Sequence, residues 1–256
     1  MSRNYELLRQ MQRNRPNTIL ESPALLSATS HYPTRKSRNL PGSTGVDVDK
    51  ITREESLKLI QTLFLLNGTP HRVVLFAGVD SRSGCSLVSV CAAQTLAQNS
   101  SGAVCLVDAN FRTPSLPDAL GTTNHYGLSD SLRKEGPVRH FAKTLLPKNL
   151  WLLSCGSAAD QSTALLNSEK MKSRIEELRQ EFDYVLLDAP PLGTYADAVA
   201  LGQLVDGVVL ILEAHSTKRE AAVRVTENLR AANVKILGAV FNKRTFPIPE
   251  SLYQLL

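Results

Sequence analysis

Residues 73–97 read Val-Val-Leu-Phe-Ala, then Gly-Val-Asp-Ser-Arg-Ser-Gly, then Cys-Ser-Leu-Val-Ser-Val-Cys-Ala-Ala-Gln-Thr-Leu-Ala, and this stretch decides the fold. An apolar run makes a buried strand, small polar residues break it, and apolar positions return at helical spacing. Strand, glycine-bearing turn and helix in that order are the parts of a phosphate-binding unit. In such a loop backbone N–H groups converge on an anion, the helix N-terminus adds its dipole, and a lysine reaches the outer phosphates. Gly84 and Ser86 stand in register with that pattern, but Cys85 occupies the lysine position. The pattern's first glycine falls at Val79, with Gly78 one residue off. Taken alone, the loop fits an ordinary βα turn as well as a phosphate site.

The rest of the chain narrows the choice. Its 256 residues suffice for one sizeable core, and 43% hydrophobic with 21% charged residues is the balance of a soluble globular protein. No apolar run approaches the ~20 residues that cross a bilayer, and the opening Met-Ser-Arg-Asn-Tyr-Glu lacks the apolar core of a signal peptide. A cytoplasmic chain is the expectation. Cys85, Cys91, Cys105 and Cys155 form no CxxC pair, so they read as reduced thiols rather than a disulfide or zinc framework. The net charge of +5 favours acidic surfaces, with no nucleic-acid motif behind it.

Residues 1–50 form a basic arm rich in Pro, Ser and Thr, whose composition buries too little apolar surface to offset its ordering entropy. A short amphipathic stretch from Tyr5 to Gln12 leaves three readings open: a solvated tail, a partner-docking segment, or a weak contact with anionic lipid. A domain over residues 51–245 opens with Thr52-Arg53-Glu54-Glu55, which reads as a capping box, and residues 246–256 are a short tail. Within the domain, strands at 103–108, 150–153, 182–189, 207–212 and 236–242 alternate with helical patterns. The predicted fold is α/β, a mostly parallel sheet with helices on both faces.

Ligands of such sheets bind beyond the carboxyl ends of the strands. Asp108 and Asp188 both close strands, as the glycine turn does. Each aspartate alone also reads as a helix cap or turn residue. Together they make chemical sense: Ser86 and a carboxylate hold Mg²⁺ through oxygen, and a second carboxylate orients or deprotonates an attacking group.

Val107-Asp108-Ala109-Asn110-Phe111-Arg112-Thr113-Pro114 resembles the Walker A′ motif of the bacterial tyrosine kinases, deviant Walker A ATPases that serve capsule and exopolysaccharide assembly. Tyr184-Val185-Leu186-Leu187-Asp188-Ala189-Pro190-Pro191 resembles their Walker B motif, and Gly238-Ala239-Val240-Phe241-Asn242-Lys243 the strand whose asparagine meets adenine. The similarity runs from about Thr52 to Arg244. It implies ATP and Mg²⁺ as cofactors, with Ser83, Gly84, Cys85, Ser86, Leu87 and Asn242 facing the nucleotide. It also implies Ser86, Asp108 and Asp188 around the metal, with Asp188 supporting it and Asp108 as the base for a tyrosine hydroxyl. The implied partner is the cytosolic segment of a membrane-embedded polysaccharide chain-length regulator, which would hold the chain at the inner face of the plasma membrane. Homo-oligomers are implied as well.

The departures are as specific as the likeness. Cys85 replaces the lysine, Arg82 a glycine, and Leu87 a common threonine. Glu55, Lys58 and Gln61 keep only the glutamate of the family's oligomerisation pattern, and Tyr253 alone remains of its C-terminal tyrosine cluster. Losing a preorganised charge-stabilising donor costs about 10²- to 10³-fold in rate. Arg82 supplies the missing cation only if its side chain curls back over the loop. Cys85 reads either as a small neutral replacement or as a thiol activated by the helix terminus. The expected function is that of a tyrosine-kinase-like protein of polysaccharide assembly with weakened catalysis, acting as a regulatory partner. The alternatives are an active ATP-dependent tyrosine autokinase and a positioning or partition ATPase; the latter class carries a second lysine where this chain has Asp80.

Overall fold

The structure is a computed structural model that describes residues 48–65, 71–145, 149–156 and 163–244. Most of the basic arm and the tail with Tyr253 lie outside the described residues. Seven strands form one sheet in the order β3-β4-β2-β5-β1-β6-β7. They are β1 (Val73–Gly78), β2 (Val104–Asp108), β3 (Lys143–Thr144), β4 (Leu150–Leu153), β5 (Tyr184–Ala189), β6 (Gly207–Glu213) and β7 (Ile236–Asn242). All neighbours pair in parallel except β3, which runs antiparallel to β4. Buried on both faces, the parallel strands are the continuous apolar runs legible in the sequence.

Alternation along each strand divides the core into two layers. Val73, Leu75 and Ala77 of β1 face one side, and Val74 and Phe76 the other. The second side is covered by α1 (Val48–Ile60), its π-helical extension Gln61–Leu65, and α2 (Cys85–Asn99). The first is covered mainly by α5 (Glu169–Glu181), α6 (Asp197–Gly202) and α7 (Arg219–Ala231). Two short helices, α3 (Leu116–Ala119) and α4 (Leu128–Arg133), follow β2. Burying each large aliphatic side chain contributes about 1.5–3 kcal/mol, so the apolar seams of these helices fix which face each one takes.

The observed elements follow the expected ones closely, with differences at a few boundaries; β5 opens at Tyr184, past the expected start at Phe182, which caps the end of α5. The first helix begins at Val48, ahead of the expected start at Thr52. Glu55 does not close a capping box there; its Oε1 accepts from Lys58 Nζ at 2.7 Å, one turn on, so Thr52 lies inside the helix. The two-residue β3 and four-residue α3 are too short to show any period. Among the described residues no helix is long and apolar enough to cross a membrane, and all four cysteines are free.

Candidate functional site

Because the sheet is parallel, β1, β2, β5, β6 and β7 all release their chains at one edge, and the expected residues gather there. Asp108 and Asp188 are register partners on β2 and β5. Alternation turns both side chains toward α2, and neither is exposed to solvent. Ser86 Oγ on the first turn of α2 donates to Asp188 Oδ2 at 2.6 Å, and Ser89 Oγ to Asp188 Oδ1 at 3.2 Å. Asp108 accepts the backbone N–H groups of Asn110 (3.2 Å) and Leu116 (3.3 Å). The turn reading of Asp108 therefore holds together with its place in the crevice: it caps the chain reversal after β2 while facing its neighbour.

Two carboxylates side by side in a buried place resist ionisation. Burial, and then the charge of Asp188, push Asp108 up to about 8. Burial raises Asp188 to about 6, against the hydrogen bonds of Ser86, Cys85 and Ser89. The pair titrates across neutrality. A cation drawn in beside it lowers both values.

The glycine turn leads into α2, whose Ser86 and Ser89 meet Asp188. Arg82 and Gly84 have φ of 67° and 82°. Left-handed backbone at alternate residues turns successive N–H groups toward one concavity, a nest suited to an anion. Gly84 is required twice over: its φ disfavours any Cβ, and a Cβ there would lie 2.2 Å from Asn242 Nδ2. Asn242, 1% exposed, donates from Nδ2 to the Ser83 carbonyl at 2.7 Å and accepts at Oδ1 from the Lys243 N–H at 2.8 Å. Ser83 is buried, while Ser86 and Leu87 are half-buried on α2. Arg82 is exposed, and the loop contact it makes runs through its carbonyl.

Cys85 opens α2 beside Asp188. Burial and the charge of Asp188 push its thiol well up from the usual range. This runs against the activated-thiol alternative: burial, and then the carboxylate facing this sulfur, favour the protonated form.

The donors fit part of a metal-nucleotide complex. Mg²⁺ is ordinarily held by one or two carboxylates together with phosphate oxygens and water, which matches Asp188, Asp108 and the Ser86 hydroxyl. Among the described residues no three His, Cys, Asp or Glu side chains form a metal cage of their own. The nest offers N–H groups to phosphate, but position 85 offers no ammonium. Sequence reasoning missed Ser89, although it lies one helical turn from Ser86 and shares its face. It also missed Glu213 and gave Lys243 no role; Lys243 Nζ meets Arg82 O at 2.6 Å and Glu213 Oε1 at 3.1 Å. Arg112 ties the two site loops together, bonding Asp197 at 3.1 Å and stacking 4.8 Å from the Tyr195 ring centre.

A nest above a parallel sheet with paired strand-end aspartates is the arrangement of a P-loop NTPase, and comparison with known proteins agrees. The family model for ParA, described as NUBPL iron-transfer P-loop NTPase, matches residues 74–254, and the chain belongs to that family. Tyrosine-protein kinase YwqD of Bacillus subtilis is 33% identical over 139 residues, 54% of this chain and 59% of that protein. The succinoglycan biosynthesis transport protein ExoP of Rhizobium meliloti is 30% identical over 182 residues, 70% of this chain but 23% of its own length. The kinase domain of Escherichia coli tyrosine kinase ETK shares the fold, with a TM-score of 0.71 and 18% identity over 98% of this chain and 99% of that one.

Proposed function

We propose that this protein is a tyrosine-kinase-like member of the family serving exopolysaccharide or capsule assembly, with weakened catalysis and a regulatory role. The observation that carries this reading is Cys85 itself, a side chain without an ammonium at the first position of α2, where the phosphate-binding lysine belongs. Loss of that cation weakens binding as well as turnover, because the lysine meets phosphate in ground and transition states alike. The remaining donors are the loop N–H groups, Ser86 and the two aspartates, which suit Mg-ATP at reduced affinity.

The names of YwqD and ExoP support the two halves of this assignment, tyrosine kinase and polysaccharide biosynthesis. In this reading the chain docks on the cytosolic segment of a membrane-embedded chain-length regulator and sits in the cytoplasm at the inner face of the plasma membrane. A partition-type role is the weaker reading, since Asp80 stands where that class carries a lysine.

Incubation of the full chain with labelled ATP and Mg²⁺ tests the proposal. The expected result is no phosphotyrosine above the level of an Asp108→Asn variant. Robust labelling of the wild type alone, lost in Asp108→Asn, establishes the active autokinase instead.

A further inference from the structure

Lys243 follows the last residue of β7 with φ of 56°, a left-handed backbone uncommon for a residue with a Cβ. That turn carries its side chain back along the loop, where Nζ donates to the Arg82 carbonyl at 2.6 Å. Glu213 Oε1 holds the same ammonium at 3.1 Å. Glu213 is the register partner of Asn242 at the end of β6, so the sheet itself fixes the anchor. One residue along, Asn242 Nδ2 donates to the Ser83 carbonyl at 2.7 Å. Two successive loop carbonyls are thus drawn to the same side by Asn242, the last residue of β7, and Lys243, which follows it.

The consequence follows from peptide geometry. In a trans peptide the C=O of one residue and the N–H of the next point in opposite directions. Drawing the carbonyls of Arg82 and Ser83 outward therefore turns the N–H groups of Ser83 and Gly84 into the concavity.

We propose that Lys243 is a positioning residue: anchored by Glu213 and working beside Asn242, its ammonium holds the loop as a preformed cradle for the phosphates of a nucleotide. Preorganisation of this kind lowers the ordering cost of binding and offsets part of what is lost at position 85. The inference rests on the nucleotide reading above, and the test separates the two.

Hydrogen exchange of the loop amides 81–86 is measured in the full wild-type chain and in Lys243→Met and Glu213→Gln variants. The expected result is about tenfold faster exchange at Ser83 and Gly84 in both variants, with an unchanged melting temperature and recovery in Lys243→Arg. Unchanged exchange at these two amides overturns the role, and Glu213→Gln decides the matter if Lys243→Met fails to fold. In a second arm Mg-ATP is titrated against Cys85→Lys with and without Lys243→Met. About tenfold weaker binding in the double variant is expected, the loss of one charged hydrogen bond. Equal binding by both removes the positioning role, whereas failure of Cys85→Lys itself to bind removes the nucleotide reading.

Discussion

Asp108 and Asp188 sit opposite one another on adjacent parallel strands, both buried, both facing α2. Residues eighty positions apart in the chain become a coupled pair because two apolar runs end in aspartate at the same level of one sheet. Their closeness controls the charge of the site.

The first consequence is a pH dependence of stability. Both folded pKa values, about 8 and about 6, lie above the ordinary 3.8. The folded protein keeps protons that the unfolded chain releases, so this stabilisation is complete below about pH 4 and fades as pH rises through both folded values. The melting temperature without nucleotide is expected to fall between about pH 4 and 8. Asp108→Asn, neutral throughout, should flatten the upper part of that profile; an equally steep fall in the variant contradicts the pairing.

Ser89→Ala removes a hydroxyl that touches both Asp188 and the Cys85 carbonyl. Urea unfolding should show a loss of about 1–2 kcal/mol, since Asp188 is left with an under-satisfied oxygen. Thr95→Ala deletes a hydroxyl that, among the described residues, is bonded to the Cys91 carbonyl of the same helix. It should cost within about 0.5 kcal/mol, and equal effects at the two positions would sink the distinction.

Gly84→Ala meets both a left-handed backbone and the Asn242 amide. A cost of about 1–3 kcal/mol is expected from strain alone, with the displaced Asn242 adding to it. Gly121 also has positive φ, 61°, but nothing lies near its Cβ position. Gly121→Ala should therefore be the milder change when the two melting temperatures are compared.

Much of this was legible in the chain because it depends on period and punctuation. Apolar runs ending in Asp108 and Asp188, and the break at Gly78 to Gly84, fixed the strands and the edge where they release the chain. Phe182-Asp183 and Thr52 were harder: strand and helix boundaries there depend on which polar group wins a hydrogen bond, as Glu55 does with Lys58. The state of Cys85 was not legible, because its thiol is shifted by burial in the folded chain and then by a carboxylate about a hundred residues away. Nor was the bracing of Arg82 by Lys243, a contact between a carbonyl and a side chain that no spacing announces.

Calorimetric titration of Mg-ATP into the wild type and Cys85→Lys decides whether the missing ammonium limits nucleotide binding. Feeble or no binding by the wild type is expected, with at least about a tenfold gain when the ammonium is restored. Equal, tight binding by both proteins would contradict this.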